Sequence, residues 1–247
     1  VIFCDIIGFT RTVERLDGDL DTLKAHLERA LDVVTDAHLG HNLVIDKFIG
    51  DAVMAFRGGE LVEGTAAEHA AAVVRSALDA HNALRSLEDP YFHDIKIGGA
   101  SAEAALIGSF GTRRRLTYTV LGDRVNLAAR LESAVKQCGT RNLFCARTHT
   151  LTATRTDIRW RRFGRLKVPG KQEVVVVYEA LDPAWEDDWG GLDDVHAGLD
   201  RFEAGDFPGA AERFAAADAA RPGGDVPSQR YRQRALDRDG GAYRTEK

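Results

Sequence analysis

The chain has 247 residues, of which 44% are hydrophobic and 29% are charged, and its formal net charge is −5. This composition is typical of a soluble globular protein that buries a core without disulfides, and it excludes an intrinsically disordered chain. The slight acidic excess argues against nucleic-acid-binding proteins, because these need concentrated positive charge. The three cysteines are too few for a disulfide framework, so we expect a reducing compartment, the cytoplasm.

Direct membrane contact is not expected for this stretch of chain. No apolar run approaches the ~20 residues that a membrane-spanning helix needs, and Asp5 interrupts the first apolar run. The only methionine is Met54, so we expect the sequence to be a fragment of a longer protein. A preceding segment is then the candidate for regulatory input and for any membrane tether.

Short apolar runs rich in β-forming residues alternate with segments that carry leucine or alanine at helical spacing. In the first part of the chain they predict strands over residues 1–5, 43–49 and 53–56 and helices over residues 19–39 and 65–87. Farther along they predict strands over residues 95–100, 105–110, 116–121, 142–145, 159–168 and 174–178 and a helix over residues 123–135. Helices that alternate with antiparallel pairs predict an α+β fold, with helices packed on a mostly antiparallel sheet.

The composition changes after residue 181. The next residues contain Pro183 and are rich in acidic side chains and tryptophan, which is typical of a linker. Two amphipathic helices are predicted over residues 195–203 and 208–220, followed by a loose polar end from about Asp237, and the helices resemble one tetratricopeptide-like pair. One pair cannot bury its own apolar face, so we expect it to pack on the main domain or on a partner protein. The predicted organisation is a domain over residues 1–181, a linker over residues 182–194 and a helical extension over residues 195–247.

Two carboxylates, Asp5 and Asp51, occupy turns at strand ends. Asp5 ends an apolar strand, where a carboxylate is costly unless it caps a turn, is paired or binds a cation. Asp51 lies in a predicted hairpin turn, and aspartate is a common residue in such turns for structural reasons alone. Two carboxylates that converge at one end of a sheet would provide the oxygen ligands that Mg²⁺ takes together with substrate phosphates. From the residues alone, the structural and the metal-binding interpretations both remain open.

A second group of polar residues surrounds the start of the helix at Asp123. Asn126 and Arg130 lie one turn apart on one face of that helix, near an N-terminus that favours anions. A solvated arginine on a capped helix explains the same spacing. Lys47 lies in an otherwise apolar strand. The default explanation for a lysine there is that the strand lies at the edge of the sheet and the ammonium group reaches solvent. The sequence has no His-Glu-x-x-His zinc pattern and no Gly-x-x-x-x-Gly-Lys-Ser/Thr phosphate loop.

Three segments of the chain combine the polar residues described above with apolar neighbours: residues 3–10 (FCDIIGFT), residues 47–56 (KFIGDAVMAF) and residues 118–131 (YTVLGDRVNLAARL). In this order and at these separations, they resemble motifs of the catalytic domain of class III nucleotide cyclases. The resemblance covers the predicted main domain, and the helical tail resembles extensions that follow some bacterial members. It implies a ferredoxin-like βαββαβ core with a mostly antiparallel sheet and packed helices.

The resemblance also implies metal and phosphate contacts. Two Mg²⁺ or Mn²⁺ ions per active site are expected on Asp5, Asp51 and the backbone carbonyl of Ile6. Phosphate contacts are expected from Phe9, Thr10 and Lys171. Pro169 stands where many relatives have a basic residue near the terminal phosphates, and Lys167 or Lys171 is the candidate replacement.

The remaining matched positions concern the nucleoside. Asn126 and Arg130 match the pair that orients the ribose and stabilises the transition state. Lys47 and Thr119 match two base-selecting positions, where lysine with threonine, serine or aspartate goes with adenine, and glutamate with cysteine goes with guanine. The chemistry agrees, because Lys47 can donate to N1 of adenine and the Thr119 hydroxyl can accept from N6. The same pair fits guanine poorly.

The implied activity is the conversion of ATP to 3′,5′-cyclic AMP and pyrophosphate, by metal-assisted attack of the ribose 3′-hydroxyl on the α-phosphorus. Family members work as head-to-tail dimers, so we expect a homodimer in which the metal ligands of one chain face the catalytic and base-selecting residues of the other. Guanylate cyclase activity and a non-catalytic nucleotide-binding dimerisation module are the alternatives. A polymerase-type nucleotidyl transferase is disfavoured by the acidic charge. The helical tail is a candidate surface for contacts with other proteins.

Overall fold

The computed structural model describes residues 1–185 and 190–245. Its strands are β1 (Ile2–Ile6), β2 (Val44–Ile49), β3 (Ala52–Phe56), β4 (Ile95–Gly99), β5 (Leu106–Thr112), β6 (Arg115–Leu121), β7 (Asn142–Cys145), β8 (Arg159–Lys167), β9 (Val175–Leu181) and β10 (Tyr243–Arg244). Its helices are α1 (Phe9–Leu16), α2 (Leu20–Gly40), α3 (Ala66–Ser86), α4 (Asp123–Cys138), α5 (Ala146–Thr152), α6 (Leu192–Glu203), α7 (Phe207–Ala219) and α8 (Val226–Leu236). Within the described ranges, none of these helices has the length and apolar character to span a bilayer.

The first four strands form a ferredoxin-like core. The described strands of the large sheet have the order β10-β8-β9-β7-β4-β1-β3-β2, in which β4-β1-β3-β2 is the order of a βαββαβ unit. β1 pairs antiparallel with both β3 and β4, and β2 pairs antiparallel with β3. β4 with β7 and β10 with β8 are parallel pairs, and β5 and β6 form a separate hairpin. The predicted α+β fold with a mostly antiparallel sheet is confirmed.

The two long helices form where the hydrophobic periodicity predicts them. The side chain of Asp19 caps α2 by accepting from the Thr22 N–H. Thr65 and Glu68 form a reciprocal capping box at the start of α3. Both helix starts are therefore determined by residues that local sequence reasoning can recognise.

Alternate residues of β1 contact different layers of helices, as the period of a strand requires. Ile2, Cys4 and Ile6 are buried in a cluster with apolar side chains of α2 and α3. Val1 and Phe3 instead contact a cluster that contains residues of α4 and of the tail helices. The sheet thus lies between two helical layers, and α4 lies on the same side as the tail.

The tail is more extensively folded than predicted. α6 begins at Leu192, inside the predicted linker, and α8 is absent from the sequence prediction. The prediction of a loose polar end is wrong, because Tyr243 and Arg244 form β10 and pair with β8. Trp185 of the predicted linker packs on the main domain, and its indole N–H donates to Oδ1 of Asn82 at 2.7 Å. Residues 186–189 of that linker lie outside the described residues.

The apolar face of the tail helices packs on the main domain, which is one of the two locations expected for it. Leu199, Phe202 and Phe214 share one buried cluster with Leu127 and Leu131 of α4. The described part of the tail therefore belongs to the same hydrophobic core as the helix that carries Asn126 and Arg130.

Candidate active site

The antiparallel pairing of β1 with β3 brings the predicted metal ligands together. Asp5 is opposite Ala52, so the turn residue Asp51 lies beside the end of β1. The backbone N–H of Ile6 donates to the carbonyl oxygen of Asp51 at 3.4 Å. Asp5, Ile6 and Asp51 therefore lie next to one another at one edge of the sheet.

The two carboxylates at this edge have different charge partners. Nζ of Lys96, on β4, lies 2.7 Å from Oδ2 of Asp5 and 2.7 Å from Oε1 of Glu132. Burial raises the pKa of the Asp51 carboxyl, and the neighbouring charge of Asp5 raises it further. Asp5 is thus neutralised directly by a lysine, whereas the ionised form of Asp51 is disfavoured by its surroundings.

The donor set at this edge suits a hard divalent cation. Mg²⁺ commonly binds through one or two carboxylates and completes its coordination with substrate phosphates and water. The raised pKa of Asp51 marks negative charge that a cation would neutralise. Among the described residues, no cluster of three or more His, Cys, Asp or Glu side chains is arranged to hold a metal ion. Two carboxylates leave coordination positions of such a cation that phosphate oxygens and water can fill.

Helix α1 directly follows β1 and is absent from the elements predicted from the sequence. Gly8 occupies its N-cap position with φ of +100°, a backbone conformation that favours glycine. The N–H groups of the first turn, including those of Phe9 and Thr10, have no partner within a helix and favour an anion. The ring of Phe9 stacks on Phe92 with centroids 6.5 Å apart, so Phe9 offers a phosphate its backbone N–H only.

The two predicted base-selecting residues contact each other across β2 and β6. Nζ of Lys47 donates a hydrogen bond to the hydroxyl oxygen of Thr119 at 3.2 Å. The adjacent Asp46 accepts a hydrogen bond from the Thr119 hydroxyl at 2.5 Å, and its other oxygen lies 3.0 Å from Nζ of Lys47. The Asp46 side chain has 0% exposure. Asp46 is not among the site residues predicted from the sequence, although a carboxylate in an apolar strand beside a site lysine is a signal that could have identified it.

Asn126 and Arg130 line one surface pocket of about 620 Å³. Because they lie one turn apart on α4, both side chains face the same space. Gly170, in the loop between β8 and β9, and Thr245, after β10, also line this pocket. The Arg130 guanidinium lies against Gly170, where a Cβ atom would be only 3.2 Å from Nη2. The pocket thus combines the predicted catalytic pair with one loop of the main domain and the end of the tail.

Lys171 lies at the N-terminus of α4, where its ammonium is paired. Its Nζ atom donates to Oδ2 of Asp123 at 2.7 Å. This hydrogen bond lowers the pKa of the Asp123 carboxyl. An ammonium group has three N–H donors, so Lys171 can contact a phosphate while it remains paired with Asp123.

Within one chain, the predicted site residues form separate groups. Asp5, Ile6 and Asp51 lie at the end of β1, and none of the three lines the pocket of Asn126 and Arg130. Lys47 and Asp51 belong to the same β-hairpin, yet the described contact of Lys47 is with Thr119 and Asp46. The metal-ligand group and the pocket are distinct surfaces of the chain.

Comparison with known proteins gives the same assignment as the motifs. The family model described as the adenylate and guanylate cyclase catalytic domain matches residues 1–179. The chain is 35% identical over 193 residues to the terminal-differentiation-specific adenylate cyclase of Dictyostelium discoideum, covering 76% of this chain and 9% of that protein. It is 32% identical over 197 residues to an adenylate cyclase of Anabaena cylindrica, covering 72% of this chain and 36% of that protein. The chain therefore corresponds to only a part of these relatives.

Solved structures of nucleotide cyclases have the same fold as this chain. The crystal structure of the adenylyl cyclase CyaB from P. aeruginosa has a TM-score of 0.64 at 29% identity, covering 73% of this chain and 92% of that chain. The guanylate cyclase domain of RhGC from Catenaria anguillulae, solved in complex with GTP, has a TM-score of 0.61 at 20% identity, covering 73% of this chain and 94% of that chain. The latter similarity concerns the fold alone. Together, the family model, the relatives and the structures show that the chain belongs to the family of adenylate and guanylate cyclase catalytic domains.

Proposed function

We propose that this chain is the catalytic domain of an adenylate cyclase, which converts ATP to 3′,5′-cyclic AMP and pyrophosphate. The observation that carries the proposal is the contact between Lys47 and Thr119, a pair that offers a donor and an acceptor side by side. Adenine presents the complementary acceptor N1 and donor N6 along one edge. The two curated relatives compared above are adenylate cyclases, which supports the same substrate.

We propose that Asp5, Asp51 and the carbonyl oxygen of Ile6 hold two Mg²⁺ or Mn²⁺ ions together with the triphosphate. Bound ions would lower the pKa of the ribose 3′-hydroxyl and neutralise charge on the phosphates. The first-turn N–H groups of Phe9 and Thr10 follow the same strand and would bind phosphate oxygens. These roles rest on the proximity of Asp5 and Asp51 and on the raised pKa of the Asp51 carboxyl.

Asn126 and Arg130 would act on the ribose and on the α-phosphate. The Asn126 amide can hydrogen-bond a ribose oxygen and so orient the 3′-hydroxyl towards phosphorus. The Arg130 guanidinium would add positive charge where the α-phosphoryl oxygens gain negative charge during the reaction. Lys171, whose ammonium has further N–H donors besides the one bonded to Asp123, would contact the terminal phosphates and so replace the basic residue that Pro169 displaces in the same loop.

A homodimer would unite the two groups of site residues. Large apolar side chains that are exposed on β2 and on the β5–β6 hairpin include Phe48, Ile49, Leu106, Leu116, Tyr118 and Leu121. Large apolar side chains exposed on neighbouring elements are typical of a protein–protein interface. The same elements carry Lys47 and Thr119. A second copy placed there would bring its Asp5 and Asp51 to the base-selecting residues of the first, giving two equivalent sites.

We further propose that the domain works in the cytoplasm. Its three cysteines are buried and free, which agrees with a reducing compartment. ATP is the intracellular substrate that the proposed reaction requires.

The direct test is an assay of the purified chain with ATP and Mn²⁺, in which cyclic AMP is quantified by chromatography. We expect cyclic AMP and equimolar pyrophosphate, and we expect EDTA to abolish both. The matched reaction with GTP distinguishes the alternatives: preferential cyclic GMP would indicate a guanylate cyclase. Nucleotide binding with neither cyclic product, in a sample shown to be dimeric, would contradict the proposal and favour a non-catalytic module.

A further inference from the structure

We infer that Asp46 is a specificity-determining positioning residue, whose buried carboxylate fixes the Thr119 hydroxyl as a hydrogen-bond acceptor and thereby selects adenine over guanine. The inference rests on the proposed function of this site and goes beyond the two base-selecting residues that the motifs identify. Asp46 does not itself face the base, because its side chain is fully buried. It acts through Thr119 and Lys47.

Every described partner of the Asp46 carboxylate belongs to the base-selecting group or to the adjoining backbone. Oδ2 accepts from the Thr119 hydroxyl at 2.5 Å and from the Val120 N–H at 3.2 Å. Oδ1 lies 3.0 Å from Nζ of Lys47. Oδ1 accepts no hydrogen bond from the described residues, so its ion pair with Lys47 and the two hydrogen bonds of Oδ2 together offset the cost of burying this carboxylate. The carboxylate therefore ties β2 to β6 at the position where the base would be recognised.

The directions of these hydrogen bonds determine what Thr119 can offer a ligand. A carboxylate only accepts hydrogen bonds, so the single hydroxyl proton of Thr119 points to Asp46. One lone pair of the hydroxyl oxygen accepts from Lys47 at 3.2 Å. The free capacity of this oxygen is its second lone pair, which is an acceptor. Lys47 retains further N–H donors, because an ammonium group has three.

This arrangement matches adenine and opposes guanine. The Thr119 oxygen can accept from N6 of adenine, and the Lys47 ammonium can donate to N1. Guanine places the acceptor O6 and the donor N1–H at the same positions, so acceptor would meet acceptor and donor would meet donor. A hydroxyl without Asp46 could rotate and donate to O6, which would remove half of this mismatch.

An irregularity in β2 explains how two consecutive residues reach the same hydroxyl. Successive side chains of a regular strand point to opposite faces of the sheet. The register of β2 with β3 shifts between Ile45 and Lys47, which leaves Asp46 at a β-bulge. A bulge redirects side chains, so that Asp46 and Lys47 both contact Thr119. Bulges commonly serve this purpose next to functional sites.

The test compares Asp46→Asn with the wild-type chain. Asparagine keeps the shape of the side chain but removes the negative charge and replaces one acceptor oxygen with an N–H donor, so the Thr119 hydroxyl proton is held more weakly and the hydroxyl can rotate to donate to a base. We expect the ratio of kcat/KM for ATP to that for GTP to fall at least ~10-fold. We expect the same fall in the affinity ratio of non-reacting ATP and GTP analogues. Asp36→Asn, the same substitution on the exposed face of α2, is the matched control and leaves both ratios unchanged.

A double-mutant cycle separates positioning from a general structural effect. If Asp46 acts through the hydroxyl, Asp46→Asn has no effect on the ratio in a Thr119→Val background. An equal effect in both backgrounds would overturn the inference. ITP tests the wild-type chain without any variant, because it carries the O6 and N1–H of guanine and lacks the 2-amino group. We expect ITP to be rejected as strongly as GTP, and acceptance of ITP would overturn the inference.

These outcomes are distinguishable from failure of the proposed function. If the wild-type chain makes cyclic AMP and Asp46→Asn retains its selectivity, the inference is wrong and the proposed function stands. If the wild-type chain makes no cyclic nucleotide, the proposed function is wrong. The affinity ratios of the analogues then still decide whether Asp46 determines base selection.

Discussion

The ammonium of Lys96 lies 2.7 Å from a carboxylate oxygen of Asp5, at the edge of the sheet where Asp5 and Asp51 meet. The same ammonium reaches Glu132 on α4 at 2.7 Å. These contacts raise the pKa of Lys96, although burial opposes them. Lys96 thus neutralises Asp5, one of the two proposed metal ligands, and connects this edge of the sheet to α4. Burial and the charge of Asp5 raise the pKa of Asp51, the other proposed ligand.

The substitution Asp51→Asn is expected to affect activity and stability in opposite directions. It removes a proposed metal ligand, so cyclase activity should fall about 100-fold or more. It also removes a carboxylate whose raised pKa means that its charged form opposes folding at neutral pH. The melting temperature at pH 7 should therefore be unchanged or higher. Activity assays and thermal unfolding of the same sample check both parts, with Asp36→Asn as control. A large fall in melting temperature would contradict this account.

Gly98 on β4 determines how closely α4 approaches the sheet. A Cβ atom at this position would lie 2.1 Å from the backbone N of Glu132 and 2.3 Å from the carbonyl oxygen of Ala128. We expect Gly98→Ala to push α4 outwards, to cost about 1–3 kcal/mol of unfolding free energy and to reduce kcat. Gly40→Ala is the matched control, because nothing lies within 4 Å of its Cβ position. Denaturant unfolding and steady-state kinetics measure the two effects. Equal stability of both variants would contradict the close packing.

A buried ion-pair network joins the tail to the main domain. The guanidinium of Arg161, on β8, is buried against Glu179 of β9 and Asp225 at the start of α8. Arg161→Met would leave two buried carboxylates without this partner, so we expect the free energy of unfolding to fall by about 3–5 kcal/mol. Arg213→Met removes an ion pair with Asp194 in which the arginine side chain is 49% exposed. We expect this variant to lose ~1 kcal/mol or less of unfolding free energy.

Urea unfolding followed by circular dichroism measures both arginine variants. Because the tail and α4 share one core, we expect a single transition for the whole chain. An early, separate unfolding of the tail in the wild-type chain would contradict the shared core.

Buried His38 should make stability depend on pH. The Ser76 hydroxyl donates to the Val73 carbonyl at 3.0 Å, so it accepts from Nδ1–H of His38, and Nε2 of His38 accepts from the Cys4 thiol. Burial, with a smaller contribution from the charge of His41, lowers the pKa of His38 from 6.5 to about 4. The unfolded chain therefore binds this proton more readily than the folded chain.

The stabilising effect of neutral His38 is fully present above pH 6.5 and is lost as the pH falls towards about 4. At ~1.4 kcal/mol for each unit of pKa, we expect a loss of about 3 kcal/mol over this interval. The free energy of unfolding, measured at pH 7, 5.5 and 4, should fall less steeply in His38→Gln than in the wild-type chain. Parallel curves for the two chains would contradict the assignment.

Periodicity predicted the elements whose patterns are long or strongly apolar. The leucine spacing of α2 and the capping residues of α3 are local signals, and both helices form as predicted. The short helix α8 has only a few buried side chains, among them Tyr231, so its apolar pattern is weak. β10 depends on pairing with β8, a long-range contact that no local pattern contains.

The candidate site was predictable to the extent that motifs identify it. Taken singly, Asp5 and Asp51 were each open to a structural or a metal-binding interpretation, and the strand pairing shows that they are neighbours. Asp46 was not predicted, because its role depends on a bulge that turns it towards Thr119. A regular strand would have placed Asp46 and Lys47 on opposite faces.

The proposed sharing of one active site between two chains is tested most directly by mixing two inactive variants. Asp51→Asn lacks a proposed metal ligand and Asn126→Ala lacks a proposed ribose contact, and each homodimer should be inactive. After the two are mixed and allowed to exchange subunits, half of the dimers are mixed, and each contains one site with both groups intact. We predict recovery of about a quarter of the wild-type cyclic AMP production at equal total protein. Production that stays at the level of the separate variants, with mixed dimers confirmed by native mass spectrometry, would contradict the shared site.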